Sequence, residues 1–337
     1  MNRVNLISLF SGAGGSDLGC VGGFEYLDEV YEPHPVNIVS ASDIDQKCVD
    51  TYNANQKYFS EQAVCNDIRD INLSPFQSSE VLVGGFPCQA FSTVNPTKSP
   101  EQKETQLFWE MAEVVAAVRP KVFVAENVKG FYLLSDGKYF RLAKETFESH
   151  GYRIYHKVLN SAHYGVPQLR ERLFIIGVRN DVESMFIFPE PTHGEGFFDQ
   201  HKPRVLGDVI NALDIPEKKY YFSERAVEGA RNAKPNMKRL VHQDLAKPCL
   251  TITRHLAKVS INSRDPVLLV DESKDLYRRF TPREASDIQS FPKDFVFMGS
   301  EGDAYRQIGN AIPPVLMWHI MKNILEQVLH LDGGGVT

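Results

Sequence analysis

Val4-Asn5-Leu6-Ile7-Ser8-Leu9-Phe10-Ser11-Gly12-Ala13-Gly14-Gly15-Ser16-Asp17-Leu18-Gly19 reads as an apolar strand that runs into a glycine-rich turn and on into a helix. Such a turn lets a ligand approach the backbone closely, beside the free N–H groups of a helix start. As a dinucleotide fingerprint the stretch is poor, because Asp17 occupies the third glycine position of G-x-G-x-x-G. A nicotinamide-dependent oxidoreductase loses its main support there.

Outward from this stretch, Val36 to Ala41, Val81 to Gly84 and Val122 to Ala125 read as further strands. Gln46 to Asn55 and Leu107 to Val118 have helical spacing, and the second stops before Arg119-Pro120, where proline ends a helix. Strands alternating with helices predict a doubly wound α/β sheet, mostly parallel. Tyr152 to Asn160 and Arg172 to Arg179 add two strands across the turn signal Gly165-Val166-Pro167. After Asn180 prolines recur at 189, 191, 203, 216, 235 and 248 and no period is sustained. Helical character returns at Thr281-Pro282-Arg283-Glu284 and in Pro314 to Leu331. The expected organisation is one unit of residues 1–180 with 275–337, and a smaller irregular one of 181–274.

The 337 residues carry a formal charge of −6, which argues against a generally basic nucleic-acid coat. That total hides an asymmetry: between Arg225 and Arg264 nine Lys/Arg face only Glu228 and Asp244. Five cysteines, at 20, 48, 65, 88 and 249, form no C-x-x-C pair, so neither a disulfide framework nor a zinc site is expected, and no metal. No window approaches the roughly 18 apolar residues of a membrane span, and the start lacks the pattern of a signal peptide. A cytoplasmic protein with reduced thiols follows as the expectation.

In an open parallel sheet, ligands gather at the carboxyl ends of the strands. Asp43 ends the second strand, where an acid can bind ribose hydroxyls, and Asp67-Ile68 follows the third. The fourth delivers Gly84-Gly85-Phe86-Pro87-Cys88-Gln89 and the fifth Glu126-Asn127-Val128, so a thiol and a carboxyl can share one pocket. Taken singly, each has an ordinary reading: a helix-capping aspartate, a packed cysteine, a surface glutamate.

Together the motifs resemble the C5-cytosine DNA methyltransferases, in the bacterial form without regulatory domains. Leu9 to Gly15 is similar to that family's cofactor motif, and Gly85-Phe86-Pro87-Cys88-Gln89-Ala90-Phe91-Ser92 to its Pro-Cys motif. Glu126-Asn127-Val128 resembles its Glu-Asn-Val motif, and Gln168-Leu169-Arg170-Glu171-Arg172 its Q-x-R-x-R. Tyr305-Arg306-Gln307-Ile308-Gly309-Asn310-Ala311-Ile312-Pro313-Pro314 resembles its carboxyl-terminal signature. The order along the chain agrees as well.

The resemblance implies the fold of the S-adenosyl-L-methionine-dependent methyltransferases and a catalytic group of Pro87, Cys88, Glu126, Asn127, Arg170 and Arg172. Cys88 would add to C6 of a flipped-out cytosine, Glu126 would serve N3 and Arg172 O2. The cofactor would be held by Phe10, Ser11, Gly12, Gly14, Asp43, Ile44, Asp67, Ile68, Phe86 and Asn310. In that assignment Gly12 and Gly14 admit its amino-acid part, Asp43 holds the ribose and Asp67 the adenine amino group. Double-stranded DNA would meet Gln89, Ser92, Lys234, Lys238, Arg239, Thr251 and Arg254, with 181–274 as a target-recognition region. A restriction endonuclease is implied as a genetic partner, and a monomer is expected.

Several positions depart from the family pattern. Ile44 stands where a large aromatic is usual, Glu104-Thr105 where Arg-Gly is common, and Asp287 where an arginine is frequent. Glu25 to Asn37 looks like an insertion. Two neighbouring readings stay open: a tRNA-methylating branch, whose Cys-Phe-Thr element Cys249-Leu250-Thr251 echoes in part, and a catalytically silent DNA-binding relative.

Overall fold

The computed structural model describes residues 3–76, 79–86, 106–194, 201–211, 216–233, 242–258 and 265–331. The chain opens with β1 (Val4–Leu9) and α1 (Gly15–Val21), then a hairpin of β2 (Phe24–Tyr26) and β3 (Glu29–Tyr31). β4 (Val36–Asp43), α2 (Gln46–Ala54), β5 (Ala63–Cys65), β6 (Val81–Gly85), α3 (Gln106–Val118) and β7 (Val122–Val128) follow in the expected alternation. Next come α4 (Lys129–Leu133), α5 (Lys138–Ser149), β8 (Tyr152–Asn160), the two-residue β9 (Gln168–Leu169) and β10 (Glu171–Arg179).

Seven strands form one sheet in the order β5-β4-β1-β6-β7-β10-β8. β1, β4, β5, β6 and β7 pair in parallel, whereas β10 runs antiparallel to both β7 and β8. The reversal follows from the connection: no helix long enough for a crossover lies between β8 and β10, so β10 turns back on its neighbour. From β1 the chain moves outward through β4 to β5 and then returns to place β6 on the other side of β1. The carboxyl ends of β1 and β6 therefore flank the switch point where such sheets take ligands.

The central strands are buried on both faces, which is why they read as continuous apolar runs. Successive residues alternate between two cores: Leu6, Val81, Val83 and Val124 face α1 and the last helix, while Ile7, Leu82 and Phe123 face α3 and α5. Gly177 is needed where the Phe123 ring crosses β10, since a Cβ there would lie 1.9 Å from the ring.

Beyond β10 the elements are short: α6 (Glu224–Arg231), β11 (Cys249–Leu250) and the pair β12 (Leu268–Asp271) and β13 (Leu276–Arg278). β11 pairs in parallel with β9. Then come α7 (Pro282–Ile288), α8 (Glu301–Asn310) and α9 (Pro314–Gln327). The expected helix start is there, and Thr281 and Glu284 close it with a capping box. Leu206, Cys249, Ile252 and Leu268 share a core with Ile288, Tyr305 and Ile308, so 181–274 packs directly on α7 and α8.

The segment from Glu25 to Asn37, expected as an insertion, holds most of the β2–β3 hairpin. Tyr31 stacks on Phe24 and meets Trp318 of α9 edge-on, and Arg204 binds Asp28 and Glu29 at its tip. The unusual Asp287 pairs with Arg283 one turn earlier at 2.6 Å, and its carbonyl accepts a hydrogen bond from Tyr26. No helix among the described residues is long and apolar enough to cross a membrane.

Candidate active site

The turn after β1 is held in left-handed backbone at Phe10 (φ 53°), Gly12 (55°) and Gly14 (91°). A bulky residue at positive φ is strained, and here the strain is supported by hydrogen bonds around it. Ser11 N donates to Ser42 O, and Ser11 Oγ to Ser8 Oγ at 2.9 Å. Asp43 at the end of β4 accepts from Gly12 N at 2.8 Å and from Asp45 N at 2.9 Å, which ties the turn to the start of α2. Burial pushes the Asp43 carboxyl above its usual value.

The glycines of this turn divide into two kinds. A Cβ at Gly12 would meet nothing within 4 Å, so open space adjoins the backbone there. At Gly14 the same direction is filled by the Phe59 ring at 2.7 Å, and at Gly15 by Ile312 O at 2.7 Å. Gly12 thus adjoins open space, whereas the Cβ direction of Gly14, which was expected with Gly12 to admit the cofactor's amino-acid part, is taken by Phe59.

Around the open side, Ile44 is 72% exposed. Asp67 caps the turn that follows β5 and is gripped by Arg69, which holds its carboxyl down at about 2. Ile68 is buried against the α3 side of the sheet. Phe86, just after β6, packs edge-on against Phe108 and Phe131. Asn310 is exposed at the last position of α8.

On the neighbouring strand Glu126 lies opposite Gly85, whose missing side chain leaves room for it: a Cβ would sit 3.2 Å from Glu126 Oε2. Arg172 of β10 reaches Glu126 Oε1 with Nε at 3.1 Å, although its cross-strand partner is Val128. Burial raises the Glu126 carboxyl pKa, and the cations of Arg172 and Arg170 oppose that rise without cancelling it. Asn127 is buried and donates from Nδ2 to Phe86 O at 3.1 Å, anchoring the chain just before Pro87-Cys88. Pro87, Cys88, Gln89 and Ser92 lie outside the described residues, as do Glu104 and Thr105.

Arg170, expected beside the reacting base, is 1% exposed and donates to three carbonyls, Ile252 O, Gly309 O and Ala311 O. Its contacts are thus with the protein's own main chain, and Arg172 is the arginine of the pair that meets the carboxylate.

A model of the C-5 cytosine-specific DNA methylases matches residues 4–326. The chain belongs to that family.

As a C-5 cytosine DNA methylase it is a DNA cytosine-5-methyltransferase, and its relatives are named accordingly. The Type II methyltransferase M.BspRI of Lysinibacillus sphaericus is 32% identical, over 96% of this chain and 82% of the relative. M.Bsp6I of Bacillus sp. (strain RFL6) is 30% identical, over 97% and 100%. Among solved structures, Schizosaccharomyces pombe Dnmt2 methyltransferase superposes with a TM-score of 0.70 at 19% identity, covering 96% of this chain and 99% of that one. That likeness bears on the fold, which is the methyltransferase fold expected.

On the DNA-facing candidates of this methylase the structure is uneven. Thr251 Oγ1 donates to Leu169 O at 2.8 Å, and Arg254 is exposed beside His255. Lys234, Lys238 and Arg239 lie outside the described residues. Cys249, the start of the partial Cys-Phe-Thr echo, is fully buried, and burial pushes its thiol far up. Gln168 of the Q-x-R-x-R stretch had no expected role, and Gln289, two residues after the unusual Asp287, carried no sequence signal. Both are fully buried, and Gln168 Nε2 donates to Gln289 Oε1 at 2.5 Å.

Proposed function

We propose that the chain transfers the methyl group of S-adenosyl-L-methionine to C5 of a flipped-out cytosine in a specific duplex sequence, through a covalent bond between Cys88 and C6. The Glu126–Arg172 pair beside Gly85 carries this reading, because it sets a buried acid and a cation side by side where β6 ends two residues before Pro87.

The residues at the switch point suit the cofactor. Open space beside Gly12, the exposed Ile44 face and the Asp43 carboxyl form one edge, and Phe10, Ser11, Gly14, Asp67, Ile68, Phe86 and Asn310 complete the assigned set. When bound, S-adenosyl-L-methionine supplies an electrophilic methyl on a sulfonium.

C5 of cytosine is a weak nucleophile, so electrons must first enter the ring. The Cys88 thiolate adds at C6, and the negative charge that develops runs toward N3 and O2. Glu126, whose protonated form burial favours, donates to N3, and Arg172 steadies O2. After C5 is methylated, loss of its proton returns electrons to the ring and expels the Cys88 thiolate. The reacting atoms are stacked within a duplex, so the base must leave the stack.

Residues 181–274 are assigned as the target-recognition region, with Thr251 and Arg254 toward the bases and the basic 225–264 segment toward phosphates. The Type II names of the relatives support a restriction endonuclease as a genetic partner, and a cytoplasmic monomer is the form expected from the sequence. The test is incubation with labelled S-adenosyl-L-methionine and either duplex DNA or tRNA, followed by a duplex carrying 5-fluorocytosine. Label is expected in DNA, and mass spectrometry should find an adduct at Cys88. Label in tRNA alone, or no adduct, refutes the reading.

A further inference from the structure

Three fully buried polar side chains, Gln168, Arg170 and Gln289, meet between β9 and the carboxyl end of α8. Arg170 Nη1 donates to Ile252 O at 3.0 Å, while Nη2 donates to Gly309 O at 3.0 Å and Ala311 O at 2.9 Å. Gln168 Oε1 accepts from Ile252 N at 2.8 Å, so the peptide groups on both sides of Ile252 are held. Gln289 Nε2 donates to Ile308 O at 3.1 Å and Ala311 O at 2.6 Å, and Gln168 Nε2 binds Gln289 in turn.

A buried cation is costly unless it is well compensated. Here the compensation comes from carbonyls at the negative end of the α8 dipole, where positive charge is favoured. One guanidinium therefore joins two segments distant in sequence: the one around Ile252, flanked by Thr251 and Arg254, and the one around Asn310. A second, independent contact presses them together. A Cβ on Gly309 would lie 2.2 Å from Arg254 N and 2.3 Å from Thr253 C, so backbone rests on backbone.

We propose that Arg170, with Gln168 and Gln289, is a positioning residue that locks the 251–254 segment to the Asn310 edge, so that engagement of DNA and retention of the cofactor are energetically coupled. The inference rests on the reading above, in which 251–254 faces DNA and Asn310 faces the cofactor. Coupling between two sites is reciprocal: whatever tightens one ligand tightens the other by the same factor.

Calorimetry tests it with S-adenosylhomocysteine alone, with a scrambled duplex, and with a duplex carrying the sequence that bisulfite sequencing finds methylated. The parent should bind S-adenosylhomocysteine at least about 5-fold tighter with the cognate duplex than with the scrambled one. Arg170→Lys keeps the charge but cannot span three carbonyls, and Gly309→Ala forces the segments apart with Arg170 intact. In both, the enhancement should fall below about 2-fold while DNA-free affinity is kept within about 3-fold. Should either variant fail to fold, Gln289→Met weakens the same junction with no change of charge.

Amide exchange on the DNA-free proteins supplies a readout that needs no ligand: residues 250–254 and 307–312 should exchange faster together in the variants. A parent with no enhancement, variants that keep it, or loosening confined to one segment overturns the coupling. Absence of methyl transfer to DNA by the parent would defeat the proposed function instead, and the exchange result would still decide whether the two segments move as one.

Discussion

Arg172 meets Glu126 at 3.1 Å from a strand position opposite Val128, two residues along β7 from the carboxylate it serves. The side chain leans along the sheet rather than across it, and this places the cation beside an acid whose pKa burial raises. Glu126→Gln should therefore lower the single-turnover methylation rate by more than about 10²-fold with cofactor affinity unchanged. The acid's pKa is raised, so the parent's rate should decline as pH climbs through that raised value, and the variant should lose this limb. An unchanged single-turnover rate would make Glu126 structural.

Asn127 acts one step removed from the chemistry. Its Nδ2 donates to Phe86 O, and its Oδ1 accepts from Val128 N at 2.8 Å. Asn127→Ala strands a buried carbonyl and should cost about 1–3 kcal/mol of stability. Because the chain before Cys88 loses its anchor, kcat should fall while KM for S-adenosyl-L-methionine holds. Denaturant titration and steady-state kinetics separate the two effects.

Asp17, which spoiled the dinucleotide fingerprint, is fully buried and accepts from Ser8 Oγ at 2.7 Å, Ser16 Oγ at 3.0 Å and Tyr52 OH at 2.9 Å. Burial raises its pKa above 3.8 in spite of those hydrogen bonds. A raised folded-state pKa favours folding fully below the unfolded value, and that contribution is lost as pH rises through the folded one. Asp17→Asn should thus gain stability relative to the parent between acid and neutral pH. Paired melting curves at several pH values would show a constant difference if the carboxyl does not titrate this way.

Glu284 binds the buried Arg278 through both oxygens, at 2.6 and 2.8 Å, and also accepts from Thr281 N. Glu284→Ala leaves a buried cation alone and should destabilise the protein by about 3–5 kcal/mol. Glu284→Gln, which keeps one acceptor and the cap, should cost less. Equal midpoints in denaturant for Glu284→Ala and parent would count against the pair as a structural tie.

The sheet was legible because its central strands are buried on both sides and bounded by glycine or proline. β8 and β10 were found at nearly their true ends, and Gly12 meets Asp43, and Glu126 meets Arg172, at strand ends. The contacts of Gly14 and Arg170 were not legible because both depend on partners far along the chain: Phe59 for the first, and Ile252, Gly309 and Ala311 for the second. No local pattern announces a main-chain carbonyl as the partner of a cation. The 181–274 region showed no period for a related reason: its elements are short, and apolar residues such as Leu206, Cys249, Ile252 and Leu268 close a core with residues of α7 and α8 that lie far along the chain.

Gly15 and Gly19 of α1 lie flush against the start of α9, where a Cβ would come within 2.7 Å of Ile312 O and 2.5 Å of Pro314 O respectively. During synthesis the glycine turn emerges from the ribosome near the beginning, and the surface that braces its helix emerges near the end. A nascent chain that already holds β1, β6 and β7 therefore lacks the wall behind the turn. Methyl-donor binding should appear abruptly, only once residues 311–318 have left the exit tunnel, and until then α1 presents an apolar face to chaperones.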